Sequence, residues 1–123
     1  MSAADLKVAV ITGSSRGIGK AIAEEMAVHG AKVVISSRKQ DACDAVSAAI
    51  NAQHGAGTAI SVPANISNKE SLQILVNQTR QAFGRIDALV NNAGVAIFKP
   101  ILQTSFDEWR HVLGTNLDGA FLC

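Results

Sequence analysis

Lys7-Val8-Ala9-Val10-Ile11 runs straight into Thr12-Gly13-Ser14-Ser15-Arg16-Gly17-Ile18-Gly19, and helical spacing follows from residue 17 to 29. The first run is apolar and β-branched, as in a strand buried on both faces. Strand, glycine-rich turn and helix in that order form a place to hold a pyrophosphate. The head of a helix carries N–H groups without intrahelical partners and about half a positive charge. Backbone donors reach an anion only where no Cβ intervenes. Gly13 lets the chain leave the strand at dihedrals other residues avoid. Gly17 lets the helix start lie close to the ligand, and Gly19 lets that helix pack tightly on the sheet. Ser14 and Ser15 are expected to add hydroxyl donors. The Gly-x-x-x-Gly-x-Gly spacing differs from the commoner Gly-x-Gly-x-x-Gly fingerprint. It is not a P-loop either, because Gly19-Lys20 is followed by Ala21 rather than by a magnesium-binding hydroxyl.

Strand and helix patterns alternate along the chain. Strands are expected at 7–12, 32–37, 58–62 and 86–91, and helices at 17–29, 41–54, 68–83 and 106–122. Ser67 with Glu70, and Ser105 with Glu108, have the spacing of capping boxes. Leu72, Leu75, Val76, Thr79 and Phe83 form one stripe of the third helix. Apolar strands alternating with helices predict an α/β fold, a Rossmann-type doubly wound parallel sheet with helices on both faces. Right-handed crossovers then give strand order 3-2-1-4, the first two helices on one face and the third and fourth on the other. Winding reverses between strands 1 and 4, so a ligand crevice opens at their carboxyl ends, where 13–19 and 92–94 both fall.

The second strand ends in Ser37-Arg38-Lys39. A carboxylate at its end would bond the ribose 2′-hydroxyl and repel a 2′-phosphate. A serine followed by a planar guanidinium suits phosphate oxygens instead, and Arg16 can reach the same group from the glycine turn. The expected cofactor is therefore NADP, with NAD as the alternative. The plainer reading leaves Arg38 and Lys39 as solvated loop charges.

With Asn91-Asn92-Ala93-Gly94 after the fourth strand and Thr115-Asn116-Leu117-Asp118-Gly119 further on, the chain resembles the short-chain dehydrogenase/reductase family from about Lys7 to Cys123. Within that family it looks most like the NADP-dependent 3-oxoacyl-carrier-protein reductases. The resemblance implies that Gly13, Ser15, Arg16, Gly17, Ile18 and Gly19 line the pyrophosphate and ribose. It implies that Asn65 and Ile66 flank the adenine, and that Asn92, Ala93 and Gly94 line the central cleft. Asn116 would be the asparagine of the catalytic tetrad, its backbone carbonyl holding a water of the proton relay. The family usually has Asp at the position of Asn65; Asn keeps one acceptor oxygen for the adenine amino group.

The implied activity is hydride transfer between NADP(H) and a small-molecule carbonyl or alcohol substrate. The family's catalytic serine and Tyr-x-x-x-Lys pair lie downstream of the matched region, and this sequence contains no tyrosine. The expectation is thus a truncated domain, 1–123 being a partial NAD(P)-binding Rossmann unit that is inactive alone and a homo-oligomer when complete. A non-catalytic NADP-binding module and an inactive fragment are the alternatives. Read from the residues alone, Asn116 falls on an apolar stripe with Trp109, Val112, Leu113, Leu117 and Ala120. A buried amide there needs partners and could simply tie two elements together.

Composition sets the outer bounds. At 123 residues the chain is one domain at most, and 48% hydrophobic residues suffice for a core. A net charge of +1 gives no electrostatic case for nucleic acid or a membrane surface. No apolar run reaches ~18 residues, and the stretch 1–7 is too short and polar for a leader. Cys43 and Cys123 have no metal-like spacing and read as free thiols of a reducing compartment, so the chain is expected to be cytoplasmic. His29, His54 and His111 are scattered and expected to be structural, and no metal site is expected. The stretch 86–91 would form an exposed apolar sheet edge that invites association.

Overall fold

A computed structural model describes residues 5–123, so 1–4 of the amino-terminal stretch lie outside the described residues. Four strands, β1 (Val8–Thr12), β2 (Lys32–Ser36), β3 (Ala59–Ser61) and β4 (Ala88–Val90), form one parallel sheet in the order β3-β2-β1-β4. This is the expected order. Val10 lies between Val34 and Leu89 in register, at the centre of the sheet.

β3 and β4 are shorter than expected. In β4 the cause is Asp87, whose backbone N–H donates to Val8 O (2.8 Å) while its carboxylate accepts from Val8 N–H (2.8 Å). A side chain thus replaces the ladder contact that a longer strand would make. Arg85 Nε in turn donates to Asp87 Oδ1 at 3.0 Å. That bond, with the one from Val8 N–H, holds the Asp87 carboxyl below its ordinary range.

The strands are apolar on both faces, and the period of two splits them between two cores. Ala9, Ile11, Val33 and Ile35 pack against Ala23 and Ala27 of α1 (Gly17–Val28) and Cys43, Val46 and Ile50 of α2 (Gln40–His54). On the other face Val10 and Val34 pack with Val62, Ala64 and Ile66 and with Leu72 and Leu75 of α3 (Lys69–Phe83). Thr79 is buried on the same helix, its hydroxyl donating to Leu75 O, whereas Val76 is partly exposed.

Two cap expectations resolve differently. Asn68, not Ser67, caps α3, its Oδ1 accepting from Ser71 N–H at 2.9 Å, while the Ser67 hydroxyl turns back to Asn65. The Ser105–Glu108 capping box is present in both directions at the start of α4 (Phe106–Leu113).

The long last helix expected at 106–122 is not one continuous α-helix. A short 3₁₀ turn (Ile101–Gln103) precedes α4, a π-helical turn (Gly114–Asp118) follows it, and α5 (Gly119–Leu122) ends the chain. Leu117 and Asn116 face outward, and so does the stripe ahead of the π turn: Trp109 is 50% exposed and α4 has no buried residue. Only Gly119 and, partly, Cys123 reach the second core. Gly119 lies against Ile66, where a Cβ would stand 2.9 Å from its side chain.

Candidate functional site

The site begins where β1 stops. Gly13 has φ +67° and Gly17 φ +59°, the left-handed region that only glycine enters cheaply. A Cβ on Gly13 would meet Ala93 Cα at 2.9 Å, whereas a Cβ on Gly17 would meet nothing within 4 Å. The first glycine therefore lets two backbones touch. The second faces open space at the head of α1.

That helix head has no side-chain cap: Arg16 is extended at the N-cap and makes no capping bond. Its first-turn amides stand at the edge of a cleft of about 550 Å³. The cleft lies at the carboxyl ends of β1, β2 and β4. Gly13, Ser15, Arg16, Gly17 and Ile18 form one wall, Ser36 to Lys39 with Asn65 and Ile66 another, and Asn92 to Val95 with Thr115 a third. Topology brings the three walls together because β1 is the strand at which the winding reverses.

The third wall is held by Thr12. Its hydroxyl donates to Val90 O and accepts from the N–H groups of Asn92 and Ala93, both at 3.1 Å. Asn92 Nδ2 donates to Gly13 O at 3.0 Å, which binds the segment after β4 to the glycine turn. Ile18 is 75% exposed, an apolar side chain at the cleft mouth. Arg16, Arg38 and Lys39 are exposed, and no carboxylate pairs with them among the described residues. Ser37 is half-buried, its hydroxyl accepting from Lys39 N–H (3.2 Å) and lying 3.1 Å from Cys43 Sγ.

Three sequence expectations, for Ser14, Asn65 and Asn116, need correction. Ser14 is not a free donor. Fully buried, it donates its hydroxyl to Ile11 O (2.6 Å) and accepts from Ser36 N–H (2.9 Å), and its own N–H bonds Ser36 O (3.0 Å). Ser14 is a clasp between β1 and β2.

Gly19 is not among the residues lining the cleft. A Cβ there would be 2.5 Å from both Gly13 O and Asn92 Nδ2, which is the tight packing expected of it.

Asn65 lines the cleft, but its acceptor is already used. Oδ1 takes bonds from Ser67 N–H (3.1 Å) and Ser67 Oγ (2.7 Å), filling both lone pairs. The Ser67 amide fixes this orientation, since only the oxygen of Asn65 can face an N–H. What remains is the Nδ2 donor, not the acceptor expected for an adenine amino group.

Asn116, finally, is exposed rather than buried and does not line the cleft. Its amide bonds both backbone groups of Val95, which does line it, and Gly94 lies so close that a Cβ would stand 3.2 Å from Asn116 Oδ1. Any influence of this side chain on the cleft passes through that loop.

Sequence reasoning missed Thr12, Ser36 and Thr115. Thr12 carried a readable sign, a hydroxyl ending an apolar strand just before the glycine turn. The other two reach the cleft only through the sheet register and the fold of the last helical segment.

An open parallel sheet with a glycine-rich turn at its switch point defines a Rossmann-type fold. The short chain dehydrogenase family model matches residues 7–123, and the chain belongs to that family. A 3-oxoacyl-[acyl-carrier-protein] reductase of Synechocystis sp. is 44% identical over 124 residues, covering 100% of this chain and 49% of the relative. Meso-2,3-butanediol dehydrogenase of Serratia marcescens is 37% identical, covering 97% and 46%. Among solved structures, a 3-ketoacyl-(acyl-carrier-protein) reductase from Brucella melitensis complexed with NADH superposes with a TM-score of 0.91 at 32% identity, covering 98% of this chain and 48% of that one. The chain thus spans about half the length of the relatives it matches. No helix among the described residues is long and apolar enough to cross a membrane.

Proposed function

We propose that this chain forms the dinucleotide-binding part of an oxidoreductase that moves a hydride between NADP(H) and a carbonyl or alcohol substrate. The observation that carries the reading is the uncapped head of α1 beside Gly17, opening on a cleft whose far wall is Asn92 to Val95. The residues fit the cofactor. The Gly17, Ile18 and Gly19 amides would receive the pyrophosphate, with Ser15 and Arg16 beside it. Ser37 and Arg38 would hold the 2′-phosphate, Asn65 and Ile66 the adenine, and Asn92, Ala93 and Gly94 the inner end. The cofactor, when bound, supplies or accepts the hydride at its nicotinamide ring. The protein's share here is to bind and orient it, and Asn116 contributes by holding Val95.

Family membership and reductase and dehydrogenase relatives support this reading. The unpaired guanidinium of Arg38 and the lack of a carboxylate at the end of β2 support NADP over NAD in this reading. Free thiols at Cys43 and Cys123 favour a reducing, cytoplasmic setting.

Calorimetric titration tests it: saturable binding of NADPH, tighter than NADH, is expected, and no binding of either would overturn the proposal. The family's tyrosine proton donor lies downstream of the matched region, so these residues by themselves are expected to bind the cofactor without turning over ketone or alcohol substrates.

A further inference from the structure

Ser36 Oγ is fully buried and has no hydrogen-bond partner among the described residues. Its isolation has a structural cause. The backbone N–H and C=O of Ser36 are both taken by Ser14. Its neighbour across the register, Thr12, has its proton on Val90 O and both lone pairs on Asn92 and Ala93 N–H. Neither hydroxyl can serve the other.

Alternation along β2 puts Ser36 on the same face as Val34, towards Ala64 and Ile66. Ser36 is one of the residues lining the cleft, and a turn about χ1 would bring its sealed hydroxyl to that space. A buried hydroxyl without a partner is costly; the two-bond clasp holds the Ser36 backbone but leaves rotation about χ1 open.

We infer that Ser36 is a cofactor-binding residue, its hydroxyl completing its hydrogen bonding on the adenosine half of the dinucleotide. The inference rests on the cofactor reading above. Position selects the adenosine end: Ser36 directly precedes Ser37 and Arg38, and the β3 side of the cleft beside it carries Ala64, Asn65 and Ile66. A hydroxyl both donates and accepts, so it can meet a ribose hydroxyl or a purine nitrogen. With the Asn65 oxygen occupied by Ser67, it is also an acceptor still free on that side.

The test compares wild type with Ser36→Ala, binding NADPH, 2′,5′-ADP and nicotinamide mononucleotide separately and melting with no ligand. The substitution removes an unsatisfied oxygen, so the free protein should melt at an equal or higher temperature. Affinity for NADPH and for 2′,5′-ADP should fall about five- to tenfold, the scale of one hydrogen bond, with mononucleotide binding unchanged. Ser36→Cys, which keeps a weak donor of similar shape, should lie between. Unchanged 2′,5′-ADP affinity in Ser36→Ala overturns the inference alone and leaves the hydroxyl to an ordered water. A wild-type chain that binds none of the three overturns the cofactor reading and this inference together.

Discussion

Asn116 and Val95 exchange two hydrogen bonds: Val95 N–H donates to Asn116 Oδ1 and Asn116 Nδ2 donates to Val95 O, each at 2.8 Å. A side-chain amide thus pairs with a residue 21 positions earlier as a neighbouring strand would. It anchors a loop whose adjoining residues form a wall of the cleft. Replacing Asn116 with Ala removes both bonds and should cost about 1–2 kcal/mol of stability, read by urea denaturation. Asn116→Asp keeps the acceptor but sets a carboxylate against Val95 O, so it should be no better. Full stability in both variants would show that the loop holds itself.

Cofactor preference turns on the end of β2. The double variant Ser37→Asp, Arg38→Leu should weaken NADPH binding by ~1.5–3 kcal/mol, the scale of charge-assisted hydrogen bonds, while NADH binding is maintained or improved. Calorimetry reads both. Unchanged NADPH affinity would remove Arg38 from the site.

Asn65→Asp restores a second oxygen where Asn65 offers only a donor. One carboxylate oxygen can keep the Ser67 bonds while the other faces the cleft. Adenine nucleotides should bind about threefold tighter, with mononucleotide binding unchanged, on the scale of one modest hydrogen bond. Weaker adenine nucleotide binding would mean that the Asn65 Nδ2 donor is the group in use.

The Glu108 carboxyl is lowered from 4.5 to about 2, chiefly by the Lys99 ammonium and then by the Ser105 N–H. A carboxyl with a lower pKa in the folded state stabilises the fold above its unfolded value of 4.5, and that contribution fades as pH falls towards 2. Glu108→Gln retains capping-box geometry but loses the ion pair. Its deficit relative to wild type should be present at pH 7 and shrink between pH 4.5 and 2. A deficit that grows on acidification would contradict this assignment. The group is exposed, so the effect should also diminish in high salt.

Among the described residues β4 pairs only with β1, and its other side is a sheet edge, with Leu89 40% exposed. Beside it runs an apolar groove of about 290 Å³ whose lining includes Leu72, Val76, Ile86 and Leu122. Unpaired strand edges associate. The chain by itself should therefore sediment as concentration-dependent oligomers, and Leu89→Lys should shift it towards monomer. A wild-type monomer at all concentrations, melting cooperatively, would contradict this.

How much of this was legible in the sequence depended on the range of the interaction. The sheet order, the placing of both ligand segments at the switch point, the glycine turn and the Ser105–Glu108 box all follow from local composition, two periodicities and the handedness of crossovers. Apolar strands of five residues, punctuated by Gly13 and Gly30, admit little else. Such signals are carried by neighbours in the chain, so no folding is needed to read them.

Only the tertiary structure decided which polar groups are free. Ser14 and Ser15 are adjacent and identical, yet one is spent clasping Ser36 while the other lines the cleft. The Asn65 oxygen is consumed by Ser67, Asn116 stands exposed and pairs with Val95, and Ser36 is left unpaired because Thr12 is saturated. A hydrogen bond depends on partners brought within about 3 Å. Apart from Ser67, two residues from Asn65, those partners come from distant segments, so composition and periodicity determine the frame while packing decides the chemistry left available within it.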